Sequence, residues 1–299
     1  MKVIFTCGGT AGHVNPALAL AGYMRKKDPT VEVLFVGTPE GIERDLVAQA
    51  GYDYRGIAVG SLERSVSWEA IRHNCKSAWE MLALRRKTGA ILKEFPADLV
   101  VGTGGYASYP MVKYAALRGI PTAVHEANMI PGLTTKMLEK HASRIMVGFE
   151  ECRALYKHPE RIAVTGTPVR GDFFDLTHEE AKAALGVGKD EPLVVSFWGS
   201  LGASTMNGQM LDFFKKEKED GYPFYHIHAV GGRGWETMQQ EMQKAGLPGS
   251  HKLDVRKYIY DMAVVMRAAD LVICRAGAST ISEITALAVP TIIVPSPYV

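Results

Sequence analysis

The sequence predicts an α/β protein of two doubly wound domains, each a parallel sheet covered by helices. Three observations carry that reading. Short apolar runs recur along all 299 residues and are separated by helix-length segments. The runs are apolar at consecutive positions, as strands buried on both faces of a parallel sheet must be. Glycine-rich turns follow several of them, where the chain passes from strand to helix.

Taken in order, Val3–Thr6 opens the first sheet and leads into Cys7-Gly8-Gly9-Thr10-Ala11-Gly12-His13. An amphipathic run follows from near Pro16. A glycine turn at a helix start points backbone N–H groups and the positive helix end at one spot, which suits an anion. His13 stands at its mouth with a side chain suited to proton transfer near neutrality. Val33–Val36, Leu99–Val101, Thr122–Val124, Ile145–Val147 and Ile162–Val164 complete the first set of strands. A second glycine turn, Gly102-Thr103-Gly104-Gly105-Tyr106, follows the third run, and His125-Glu126-Ala127-Asn128 follows the fourth. Asn128 can both donate to and accept from sugar hydroxyls.

Glycines and a proline interrupt the pattern at Thr165–Asp172, so the domain boundary is expected there, with 1–168 as the first domain and 169–299 as the second. Arg170 lies at this junction, where its planar fork suits a diphosphate. The second domain restarts with Leu193–Phe197, the turn Gly199-Ser200-Leu201-Gly202-Ala203, and then Tyr225–Val230, Leu271–Cys274 and Thr291–Val294. The block Arg275–Glu283 gives a fourth strand–helix junction. Glu283 is expected in the first helical turn, where its carboxylate can accept from the vicinal hydroxyls of a ribose. His226 and His228 alternate along a strand, so one of them is expected to be buried and hydrogen-bonded. Two such domains would place the carboxyl ends of both sheets on one cleft. The chain stops just past a buried-looking strand, which reads as a second domain incomplete at its C-terminal end.

Composition excludes several classes. A 47% hydrophobic, 22% charged chain belongs with ordinary globular proteins. No apolar run reaches membrane-spanning length and no signal region opens the chain, so a cytoplasmic location is expected. Cys7, Cys75, Cys152 and Cys274 lack metal or disulfide spacing and read as reduced core residues. No paired Asp-x-Asp is present to hold a nucleotide-bound metal, so neither metal nor cofactor is expected. Residues 1–168 hold 21 Lys and Arg against 16 Asp and Glu, whereas the remainder holds 13 against 16. That mild basic excess favours anionic partners but is too small for nucleic acid. Between Trp68 and Lys93, Trp68, Ile71, Cys75, Trp79 and Leu82 recur at helical spacing with Arg72, Lys76, Arg85, Arg86 and Lys87 among them. An apolar stripe edged by cations fits an anionic bilayer surface, and equally a helix packed on the sheet with a solvated face.

The opening GGTxGH loop, the GTGGY turn, HExN, the GxPVR junction, the GSLGA turn and the RAGAxTxSE block occur in the order seen in one family. The chain resembles the undecaprenyl-diphospho-muramoylpentapeptide N-acetylglucosaminyltransferases of bacterial cell-wall synthesis, which have the GT-B architecture of two Rossmann-like domains. The likeness covers essentially all 299 residues. It implies UDP-N-acetylglucosamine (UDP-GlcNAc) as donor and lipid I as acceptor, with lipid II and UDP as products. His13 is then the first choice of catalytic base, with His125 and Glu126 as alternatives. The resemblance further implies donor contacts at Thr10, Gly12, Asn128, Arg170, Ser200, main chain near Ile259, and Glu283. It implies acceptor-diphosphate contacts at Gly9, Thr10, Gly104, Gly105 and Tyr106. The helix bearing Trp68, Ile71, Trp79, Arg85 and Arg86 resembles the family's membrane-facing patch, which implies a peripheral protein on the cytoplasmic face of the cell membrane. Ala11, Trp198 and Leu201 depart from the family's usual glycine, glycine and glutamine. Rival readings are a UDP-GlcNAc epimerase on the same scaffold, and a nucleotide-binding module without turnover.

Overall fold

The computed structural model describes residues 1–58, 84–199, 202–247 and 250–295. Two compact units divide the chain, Met1–Arg170 and Gly171–Val299. The division falls two residues beyond the expected 168/169 boundary.

The first unit holds a seven-stranded parallel sheet. Its strands are β1 (Lys2–Thr6), β2 (Glu32–Gly37), β3 (Asp53–Gly56), β4 (Leu99–Gly102), β5 (Thr122–Glu126), β6 (Arg144–Val147) and β7 (Ile162–Val164). They lie in the order β3-β2-β1-β4-β5-β6-β7. β1 pairs in parallel on both sides, with Phe5 opposite Phe35 of β2 and Val101 of β4. Central strands are buried on both faces, which explains why they read as continuous apolar runs. Ile4, Leu34, Val36, Val100, Val124 and Ile145 form one core cluster, packed by Met111, Val112 and Ala115 of the helix Ser108–Ala116.

The second unit holds a five-stranded parallel sheet in the order β10-β9-β8-β11-β12. Its strands are β8 (Leu193–Phe197), β9 (Tyr225–Ala229), β10 (Leu253–Arg256), β11 (Leu271–Arg275) and β12 (Thr291–Val294). β3 and β10 are additions to the expected set. Both are outer strands, and β3 leaves most of its residues to solvent, so neither carries the apolar signature of a central strand. Cys7, Cys152 and Cys274 are buried free thiols, while Cys75 lies outside the described residues. Among the described residues, no helix is long and apolar enough to cross a membrane.

In each sheet the sequential order reverses once, between β1 and β4 in the first and between β8 and β11 in the second. Open parallel sheets bind ligands at the carboxyl ends of the strands flanking such a reversal. The four glycine turns singled out in the sequence follow β1, β4, β8 and β11.

Candidate active site

In the first unit the turns after β1 and β4 pack against each other. A Cβ on Gly105 would fall within the backbone of Gly8, so only glycine lets the two loops approach this closely. Thr103 Oγ1 donates to the His13 carbonyl at 2.6 Å, and the single hydroxyl hydrogen of Ser108 is shared between the carbonyls of Thr6 and Gly104, each 2.7 Å from Oγ. The pair of loops is thereby tied into one platform. Thr10, extended at φ −148°, is the N-cap of the helix Ala11–Lys27, and Gly12 and His13 lie in its first turn. Tyr106 stands out from the platform, 61% exposed.

The His13 ring is held on two sides. Its Nδ1 lies 2.8 Å from the Gly8 carbonyl. A carbonyl only accepts, so Nδ1 carries the hydrogen, and in the neutral ring Nε2 has the lone pair. Gly104, at φ +112°, lies against the ring edge, where a Cβ would sit 2.5 Å from Cδ2 and 2.9 Å from Nε2.

Behind the first loop lies a residue that sequence reasoning missed. Glu43 is fully buried in the first turn of the helix Ile42–Gln49. Its Oε1 accepts from Thr38 N at 2.8 Å and Thr38 Oγ1 at 2.5 Å, and its Oε2 accepts from Gly9 N at 3.3 Å. The Gly9 N–H therefore faces inward and is not offered to a bound anion. Cβ atoms on Gly8, Gly37 or Gly41 would strike the Glu43 side chain. Glycines at Gly37 and Gly41 beside an acidic residue were the available signal, since a buried carboxylate needs that space. Burial, and then the neighbouring Glu43 charge, push the Cys7 thiol far up.

The end of β5 and the loop after it carry His125, Glu126 and Asn128. His125 is almost fully buried, with Nε2 3.2 Å from the Gly166 carbonyl. Burial chiefly, opposed by that hydrogen bond and by Glu126, lowers its pKa. Glu126 accepts from Asn128 N at 3.1 Å, Asn128 Nδ2 at 2.9 Å, Gly132 N at 2.9 Å and Thr135 Oγ1 at 2.7 Å. Four donors fill the acceptor capacity of a carboxylate. Glu126 thus organises the loop that carries Asn128, and that exposed asparagine keeps its amide oxygen for other partners.

In the second unit, Gly199 at φ +87° and Gly202 at φ +77° form the turn after β8, with Gly202 N donating to Gly199 O at 3.1 Å. Ser200 and Leu201 lie outside the described residues. The helix Ser204–Glu219 starts directly after the turn, and Ala278–Leu287 starts at the junction after β11. Glu283 is buried and sits in the second turn of that helix, correcting its expected first-turn place: the helix begins as soon as Gly277 leaves the strand. Side chains lean toward the helix N-terminus, which keeps its carboxylate near the strand end. Burial and then Glu283 push the Cys274 thiol up to about 11. The Ile259 side chain is buried, leaving main chain as its polar surface. Arg170 is the final residue of the first unit.

The β9 histidines also correct the expectation. Residues two apart on a strand share a face, so His226 and His228 are both fully buried. They meet at Ser196 Oγ, 2.8 Å from His226 Nε2 and 2.6 Å from His228 Nδ1, while Glu217 Oε1 lies 2.6 Å from His226 Nδ1. Burial and then His226 push the His228 pKa down to about 3. Among the described residues, no group of three His, Cys, Asp or Glu is arranged to hold a metal ion. Of the expected membrane-facing residues, Arg85 and Arg86 are exposed on a helix over 84–94, and Trp68, Ile71 and Trp79 lie outside the described residues.

Residues 3–147 match the glycosyltransferase family 28 N-terminal domain, and residues 193–299 match the glycosyltransferase family 28 C-terminal domain. The chain is 42% identical over its whole length to a protein of Acetivibrio thermocellus, of which it covers 79%, named UDP-N-acetylglucosamine--N-acetylmuramyl-(pentapeptide) pyrophosphoryl-undecaprenol N-acetylglucosamine transferase. A Thermoanaerobacter protein of the same name is 37% identical over 299 residues, with 80% of it covered. Among solved structures, Acinetobacter baumannii MurG superposes with a TM-score of 0.63 at 26% identity, over 99% of this chain and 80% of that one. A Neisseria meningitidis UDP-GlcNAc 2-epimerase superposes with a TM-score of 0.64 over 98% of this chain and 82% of that one. At 12% identity that likeness is one of fold.

Proposed function

The chain belongs to glycosyltransferase family 28, and on that premise we propose that it is an N-acetylglucosaminyltransferase acting in peptidoglycan synthesis. It moves GlcNAc from UDP-GlcNAc to the C4 hydroxyl of the MurNAc of lipid I, undecaprenyl-diphospho-MurNAc-pentapeptide. Lipid II and UDP are the products. The observation that carries this reading is 42% identity, over the whole of this chain and 79% of the relative, with a transferase of that name, a level the epimerase likeness does not approach.

The reaction is read as one inverting displacement. The acceptor oxygen forms a bond to the anomeric carbon while the bond from that carbon to the UDP oxygen breaks on the opposite face. The hydroxyl proton passes to His13 Nε2, the nitrogen left with a lone pair by the Nδ1–Gly8 hydrogen bond. General-base help of this kind is worth roughly 10²–10⁴-fold. His125 ranks behind His13 because it is buried, and Glu126 because its oxygens are occupied. The first domain is assigned the acceptor, its diphosphate meeting Thr10, Gly104, Gly105 and Tyr106, with Gly9 offering an open Cα. The second is assigned UDP-GlcNAc: Ser200 at the diphosphate, Glu283 at the ribose and Ile259 main chain at the uracil, with Arg170, the last residue of the first unit, also assigned to the diphosphate. Thr10, Gly12 and Asn128 are assigned to the transferred sugar. Negative charge developing on the diphosphate would be met by helix N-termini and Arg170.

We place the protein peripherally on the cytoplasmic face of the cell membrane, with Trp68, Ile71, Trp79, Arg85 and Arg86 toward an anionic lipid surface. Incubation of labelled UDP-GlcNAc with a lipid I analogue tests the activity. Labelled lipid product is expected, falling at least 100-fold in His13→Ala; free epimerised sugar without transfer would overturn the reading, and unchanged turnover in His13→Ala would remove His13 as base. Co-sedimentation with anionic vesicles tests the membrane assignment, and binding unaffected by Trp79→Glu with Arg85→Glu would refute it.

A further inference from the structure

The Gly8–Gly9 peptide is bonded at both edges. Its carbonyl, on Gly8, accepts from His13 Nδ1 at 2.8 Å. Its N–H, on Gly9, donates to Glu43 Oε2 at 3.3 Å. The peptide is trans, so these groups point to opposite sides, with the imidazole on one and a buried carboxylate on the other. We propose that Glu43 is the positioning residue of the active site, acting on His13 through this one peptide group. The arrangement resembles the carboxylate–imidazole pair of hydrolytic triads with an amide inserted between the partners.

Three physical consequences follow from that geometry. An N–H that donates to a carboxylate polarises its own amide, so the Gly8 carbonyl becomes a stronger acceptor. That strengthens the Nδ1–H bond and keeps the neutral ring in the tautomer whose Nε2 can take a proton. When Nε2 does take it, the negative charge behind the loop favours the imidazolium. The carboxylate is itself fixed. Thr38 supplies two donors to Oε1, the Thr38 carbonyl accepts from Tyr54 Oη at 2.6 Å, and the missing Cβ atoms of Gly8, Gly37 and Gly41 form its cradle. A purely space-filling residue would need neither the cradle of glycines nor the three donors.

This role rests on the reading of His13 as base, and the test separates the two. Glu43→Gln keeps the volume, removes the charge and turns an amide group on the Gly9 N–H. In the full chain, kcat is expected to fall roughly 10- to 100-fold, the range for loss of an outer orienting partner. The acidic limb of the kcat/KM profile should move to lower pH, with affinity for UDP unchanged. Independently of turnover, 15N NMR of the His13 ring at alkaline pH should show the Nδ1–H tautomer in the parent, and a shift toward Nε2–H in Glu43→Gln. Should that variant fail to fold, Thr38→Val removes one donor from Oε1 and is expected to move both readouts the same way by less. Unaltered tautomer populations with an unmoved pH profile overturn the proposal, as does a rise in acceptor KM alone. If His13→Ala turns over normally, the base assignment fails, and the tautomer measurement still decides whether Glu43 governs the ring.

Discussion

Acidification should loosen the second unit through His228, and the size of the effect follows from its surroundings. The ring is fully buried between Ser196, Trp198 and Phe214, with His226 and Glu217 as the ionisable groups along the same hydrogen-bonded chain. Its Nε2 has no hydrogen-bond partner among the described residues, so a proton there would be charged and unsolvated. Burial and the neighbouring His226 hold the folded pKa down to about 3, against about 6.5 for an unfolded histidine. Below pH 6.5 the unfolded chain therefore takes up a proton that the folded one refuses. Stability falls as the pH drops from about 6.5 toward 3, and at pH 5 the loss from this one group is about 2 kcal/mol. Urea unfolding of the full chain at pH 7 and pH 5 reads it, followed by Trp198 and Trp235 fluorescence with Trp68 and Trp79 replaced by Phe. His228→Gln should lose about 2 kcal/mol less than the parent over that interval. Equal losses would refute the reasoning, because the titrating group would then lie elsewhere.

Gly104→Ala should combine a backbone cost of about 1–3 kcal/mol at φ +112° with displacement of the His13 ring. Turnover should drop more than tenfold while calorimetric UDP affinity holds. Lys182→Met should lower stability by about 1–3 kcal/mol in urea unfolding. Nearly buried Lys182 bonds Asp270 at 2.7 Å and the Glu191 carbonyl at 2.9 Å, and methionine fills the space without satisfying either. Glu126→Ala frees four donors between Asn128 and Thr135, so amide exchange in that loop should accelerate. KM for UDP-GlcNAc should rise by roughly tenfold, the equivalent of about one net hydrogen bond, because Asn128 is assigned to the transferred sugar, with kcat less affected.

What the sequence determined by itself was whatever local chemistry encodes. β1, β2 and β8 announce themselves because a strand covered on both faces reads as a near-continuous apolar run. The turns at Gly8, Gly104 and Gly199 are legible because strand–helix junctions ask for glycine, by crowding at Gly8 and Gly104 and by positive φ at Gly104 and Gly199. β3 and β10 were hidden because an outer strand can leave its side chains in water. Only the tertiary structure decided where the strand order reverses, and so which turns become neighbours: it brings Gly105 onto Gly8 across nearly a hundred residues. It alone joins Glu43 to Gly9, and Glu217 to His226, Ser196 and His228. Such pairings leave no periodic trace, since a buried carboxylate is selected by donors that folding brings from distant strands, whereas an apolar run is selected by the water it leaves.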